Sequence, residues 1–136
     1  LGLYTVAALI LSWVFSGSYV IVCEYLNVEW LIPSEDLPLP YSSLVGLLIL
    51  ISVVPLAEEA FFRGFIYAGL TKSRGNLVGM MISSGMFAII HVEISHLIPA
   101  FVSGLIFCGV YRYSGSIWPA VFAHGGHNAL AWIILT

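Results

Sequence analysis

The chain has 136 residues, a formal charge of −3, 60% hydrophobic residues and only 8% charged ones, with a mean hydropathy of +1.04. These values exclude an ordinary soluble protein and identify an integral membrane protein of single-domain length. Four Lys plus Arg residues form no basic patch, so no footprint for nucleic acid is present. Cys23 and Cys108 lie in different apolar segments without CxxC or Cys/His spacing, and read as buried thiols rather than a disulfide or a zinc site. Leu1 is not an initiator Met, so the chain reads as a processed product, a trimmed domain or a fragment.

Leu3 to Val22 is an uncharged run of the length that crosses a hydrocarbon layer of roughly 30 Å, and it predicts a transmembrane helix. A signal peptide would need a basic start and a small-residue cleavage site, and neither is evident. From Cys23 to Ser43 the composition changes abruptly. Glu24, Glu29, Glu35 and Asp36 are acidic, and Pro33, Pro38 and Pro40 forbid a continuous helix, so a solvent-facing loop is expected, with Tyr25, Trp30 and Tyr41 suited to the interface. A second helix is predicted from Leu44 to about Leu70, bent at Pro55, followed by a short basic turn, Thr71 to Asn76, with Lys72 and Arg74. Leu77 to His91 is the next membrane segment, Val92 to His96 a polar interruption, Leu97 to Tyr111 another segment, and Ile117 to Thr136 the last. The fold class is therefore an all-α integral membrane protein, a single domain of about five transmembrane helices around a polar interior. Lys72, Arg74 and Arg112 are separated by an even number of crossings and share a side; by the distribution of basic residues that side, with Leu1, is cytoplasmic.

Few strongly polar residues remain inside the membrane segments: Glu58, Glu59, Arg63, His91, His124, His127 and Asn128. The three ionisable groups of Glu58-Glu59-Ala60-Phe61-Phe62-Arg63 alone oppose insertion by roughly 8–10 kcal/mol before pairing, so they are expected to face a polar interior. Glu59 and Arg63, four apart in the favourable order, read as an ion pair. Glu58 points about 100° away from Glu59 and is left as the candidate general base toward a water. His124 and Asn128 are also four apart, with Gly125-Gly126 between them permitting a close helix approach. They can donate hydrogen bonds to an oxyanion, or simply bond helix to helix. His91 can share the handling of water or pass a proton to a leaving amine, or serve structurally at its helix end. His127 and His96 read as structural or interfacial, and Glu93 as a solvated carboxylate of a turn.

These residues carry a resemblance. Glu58-Glu59-Ala60-Phe61-Phe62-Arg63 followed by Gly64, Phe87-Ala88-Ile89-Ile90-His91 and His124-Gly125-Gly126-His127-Asn128 are similar, in order and on separate apolar helices, to the three motifs of the membrane-embedded CAAX prenyl endopeptidase and bacteriocin-processing (CPBP or Abi) family. Each motif by itself is weak and the set is specific. The resemblance covers about Leu44 to Ile134, leaving 1–43 as a first helix plus acidic loop. It implies an intramembrane glutamate endopeptidase in which Glu58 and His91 activate water, His124 and Asn128 stabilise the oxyanion, and Glu59 and Arg63 shape and charge-balance the site. The implied partners are the lipid bilayer and a peptide or lipidated peptide substrate, in a membrane of prokaryotic type.

No cofactor is expected. HExxH is missing, although Glu58, His91 and His124 could converge on one metal ion. Family members commonly have more than five membrane helices, and His127 is an imidazole without an assigned role. Two other functions compete with the peptidase: a non-catalytic binding or immunity protein of the same fold, and a proton or ion relay. Rhomboid-type serine chemistry lacks its GxSG pattern.

Overall fold

The computed structural model describes residues 2–33 and 43–135. Five helices run in chain order: α1 (Gly2–Tyr25), α2 (Leu44–Arg74), α3 (Asn76–Ile89), α4 (Ile94–Ser114) and α5 (Trp118–Leu135), with a 3-10 turn at Glu29–Leu31 between the first two. The structure is all-α over the described residues, as composition and hydrophobic segmentation require. Of the expected acidic loop, Cys23 to Tyr25 completes α1 instead, while Glu35, Asp36, Pro38, Pro40 and Tyr41 lie outside the described residues.

Helix ends follow local chemistry. The Ser43 hydroxyl accepts from Gly46 N–H at 3.1 Å and caps the start of α2. Gly75, at φ 84°, stops α2, and its N–H reaches Thr71 O. The expected basic turn is thus reduced to one glycine, and Lys72 and Arg74 sit in the last helical turn, where cations favour the helix C-terminus. Gly115, at φ 67°, ends α4 in the same way beside Arg112.

Among the described residues, three helices, α1, α2 and α4, are long and apolar enough to cross a bilayer. α2 has 31 residues, about 46 Å at 1.5 Å per residue, so it must tilt or project beyond the hydrocarbon. α3 has 14 residues, about 21 Å, which corrects the expected full crossing from Leu77 to His91. His91 itself lies just past the helix in the turn before α4.

Around Pro55, where a bend is expected, α2 widens. Ile49–Val53 winds as π-helix, ending two residues before the proline, and Ala60–Tyr67 does so again through Arg63. Such wide turns free carbonyls from regular pairing and occur often at functional sites. Phe62 O is met by the hydroxyl of Ser83 on α3 at 2.7 Å.

α3 packs most extensively on α4, and α1 rests on α5 and α4. One buried cluster joins Ala8, Phe107, Ala120 and Ala123; another joins Phe62, Phe87, Ala88 and Ala100. Small residues let the backbones approach as membrane helices require. Gly104 on α4 lies against Ser84 on α3, and Gly125 on α5 against the carbonyl of Ile51 on α2. The outward faces carry exposed Leu, Ile, Val and Phe side chains, the surface that lipid covers.

Candidate active site

The polar residues of α2, the α3–α4 turn and α5 meet inside the bundle. A cavity of about 380 Å³ is lined by Glu58, His91, His124 and Asn128 together, with walls from Leu50, Val54, Phe87, Pro99 and Phe107. All four residues read from the sequence as catalytic candidates therefore reach one space. Glu59 and Arg63 lie behind it, both side chains 0% exposed, whereas Glu58 is 23% exposed. The roughly 100° between consecutive helical residues sends the two carboxylates to these different places.

Arg63 is held from several sides. Its Nη1 donates to Glu59 Oε1 at 2.9 Å and its Nη2 to the Gly104 carbonyl at 3.2 Å. The guanidinium also stacks near the rings of Phe87 and Phe107, at 4.4 and 5.3 Å from their centroids. A charge buried this completely needs such pairing, because an unpaired ion in a low-dielectric interior is strongly disfavoured.

The same Glu59 oxygen takes a second donor, His124 Nδ1 at 3.0 Å. A carboxylate paired with arginine accepts, so the proton sits on Nδ1 and the other ring nitrogen, Nε2, is directed away from Glu59. That Nε2 stands 3.7 Å from Glu58 Oε2, within ion-pair range and beyond a hydrogen bond. Phe107 stacks on the imidazole at 5.3 Å, and the Phe87 and His124 rings meet edge to face at 5.7 Å. Glu58 Oε2 is buried with no hydrogen-bond partner among the described residues.

His91 Nδ1 lies 2.8 Å from the Phe87 carbonyl. A carbonyl only accepts, so Nδ1 donates and the neutral ring presents Nε2 as its open lone pair. Burial holds this imidazole below the ordinary value of 6.5, outweighing the Phe87 carbonyl and the charge of Glu58, which act in the opposite sense. The adjoining Val92 takes φ 63°, a strained conformation for a β-branched residue.

Asn128 is engaged between helices: its Nδ2 donates to Leu50 O at 3.0 Å. One N–H of the amide thus makes the helix-to-helix bond that spacing alone allowed, and the other is not used by it. His127 also has a place. Its Nδ1 pairs with the Ser12 hydroxyl at 3.1 Å and its ring packs on Trp13 at 5.1 Å, tying α5 to α1 while facing the cavity.

Sequence reasoning missed several participants. His96 lines the cavity and pairs at 3.1 Å with Glu93, whose carboxylate is 54% exposed in its turn. The Gly104 carbonyl, the Phe107 ring and Ser12 had no signal beyond ordinary helix composition. Among the described residues, no group of three or more His, Cys, Asp or Glu side chains is placed to hold a metal ion.

Comparisons with known proteins converge on one family. The pattern described as "Type II CAAX prenyl endopeptidase Rce1-like" matches residues 40–130. A Bacillus subtilis (strain 168) protein named "Putative membrane peptidase YdiL" is 33% identical over 82 residues, covering 59% of this chain and 34% of the relative. The Lactococcus lactis subsp. lactis (strain IL1403) protein named "UPF0177 protein YxdF" is 32% identical over 77 residues, covering 56% of this chain and 42% of that one. The matched stretch spans less than half the length of either relative. No solved structure matches.

Proposed function

The chain belongs to the Rce1-like family of type II CAAX prenyl endopeptidases, and on that premise we propose that it is a membrane-embedded endopeptidase whose base is Glu58. The observation that carries this reading is the contrast between two adjacent carboxylates. Glu59 is fully buried and its Oε1 takes both Arg63 and His124, while Glu58 is 23% exposed and lines the cavity. Each carboxylate keeps an Oε2 without a hydrogen-bond partner among the described residues, and only that of Glu58 belongs to a cavity-lining group. A carboxylate held next to a cavity without a partner is suited to take a proton from water.

In the proposed reaction, water between Glu58 and His91 Nε2 attacks the carbonyl carbon of a peptide bond and gives its proton to this pair. The carbonyl π bond opens to a tetrahedral oxyanion. His124, protonated on Nε2 as well, donates to that oxyanion, joined by the free N–H of Asn128. The oxyanion then collapses, the C–N bond breaks, and Glu58 or His91 returns the proton to the leaving amine. Glu59 orients His124, and Arg63 balances Glu59. No cofactor enters the scheme.

The proposed substrate is a peptide or lipidated peptide associated with the bilayer. The proposed setting is a prokaryotic cell membrane, with Lys72, Arg74 and Arg112 on the cytoplasmic side. Peptides cleaved in cells carrying the wild-type chain and in cells carrying Glu58→Gln would be compared, and the differing peptides then given to both purified proteins. The wild type is expected to cleave and Glu58→Gln to lose at least about 10²-fold in kcat. Cleavage at the wild-type rate by Glu58→Gln removes the proposed base. Full biological activity of that variant favours a binding or immunity protein.

A further inference from the structure

Pro55 is three residues ahead of Glu58, fully buried, and outside the set of groups that line the cavity. Its surroundings are nevertheless organised around what a proline lacks. In the π-helical stretch Ile49–Val53 the N–H of Val54 bonds Ile49 O, five residues back. Continuing that winding, the donor for Leu50 O would be the N–H of residue 55, and proline has none. Leu50 O instead accepts from Asn128 Nδ2 at 3.0 Å. One turn away on the same helix, Gly125 lies against the next carbonyl, Ile51 O, and against the Pro55 ring. Ile51 O is the carbonyl four residues before the proline, the one its ring pushes aside. Any side chain at 125 would collide with it. Gly125 and Asn128 thus fit the two carbonyls that Pro55 disturbs.

We infer that Pro55 is a positioning residue for Asn128. By withholding a backbone donor from Leu50 O, it makes the Asn128 amide the donor there, which fixes the amide plane and aims the remaining N–H at the cavity. The site on α5 is thereby set by a proline on α2.

The test restores the missing N–H with Pro55→Ala and with Pro55→Val, the second matching the ring in volume so that a cavity effect is separated from a hydrogen-bond effect. Asparagine is labelled with ¹⁵N in its side chain; the chain has only Asn27, Asn76 and Asn128, and Asn128→Ala assigns the third resonance pair in micelles. In both Pro55 variants the two Asn128 amide protons should draw together in shift and exchange faster with water, with Asn27 and Asn76 unchanged. An Asn128 pair identical to wild type in both variants overturns the inference.

The kinetic arm rests on the peptidase reading. Each Pro55 variant should lower kcat about tenfold with KM within about twofold, and should change kcat less than twofold once Asn128 is already Ala. Full additivity of the two substitutions overturns the inference as well. A wild-type chain that cleaves nothing defeats the peptidase reading instead, and the amide resonances then decide the role of Pro55 alone.

Discussion

At the scale of single residues, the site rests on a division of labour between neighbouring glutamates. Arg63 and Glu59 are both fully buried and share their charges with His124 and the Gly104 carbonyl. Truncation of Arg63 to Ala leaves the buried Glu59 with His124 as its remaining partner, so a loss of about 3 kcal/mol is expected. Thermal unfolding in detergent measures it; an unchanged midpoint would show that the pair is not structural. Glu58, which makes only the 3.7 Å approach to His124, should cost less on replacement by Gln, about 1 kcal/mol. His91 has a pH signature. It can accept from water only when neutral, and burial keeps it neutral to a lower pH than an ordinary histidine. Cleavage should therefore persist at pH 6.5 and fall only on further acidification, as the imidazole protonates. A profile of kcat/KM against pH reads this directly, and an acid limb centred above about 7 would count against His91 as acceptor.

At the scale of helices, the contacts that matter are made where side chains are small or missing. Gly104 is an example. A Cβ there would stand 2.9 Å from Ser84 Cβ and 3.1 Å from its Cα, so Gly104→Ala must force α4 away from α3. The expected cost is about 1–3 kcal/mol, with a loss of activity because the Gly104 carbonyl that holds Arg63 moves too. Thermal unfolding together with turnover checks this; a variant as stable and active as wild type would mean that the two helices are not held in register by this contact. The segmentation of the chain into five helices was legible in its hydrophobic runs and its Gly and Pro punctuation. The π-helical turns of α2 were not, since a wide turn is stabilised by partners from other helices, Ser83 on Phe62 O and Asn128 on Leu50 O.

At the scale of the whole bundle, the basic residues gather at one end. The Tyr67 and Tyr111 rings meet at 5.8 Å, which brings the Lys72/Arg74 end of α2 beside the Arg112 end of α4. α1 runs parallel to α5, because Ala8 packs with Ala120 and Ala123 while Ser12 reaches His127. Its N-terminus therefore lies at that same end. A reporter fused after Ser73 or after Ser114 should give the cytoplasmic signal in both cases, and a reporter at Glu29 the opposite one. Ser73 and Ser114 reporting different sides would break the proposed orientation.

The sequence by itself determined that this chain is a helical membrane protein, which helices carry charge, that Glu59 and Arg63 share a face, and which family the three motifs resemble. Those properties are set by hydropathy and by a 3.6-residue period, which act along the chain. Tertiary structure alone decided that Glu59 takes His124 as well as Arg63, that His91 leaves its Nε2 open, and that Asn128 answers a carbonyl freed by Pro55 across 78 positions of sequence. Inside a membrane bundle a polar group must find its partner on whichever helix lies next to it. Which helix that is depends on packing of small residues such as Gly104 and Gly125, and no local pattern records it.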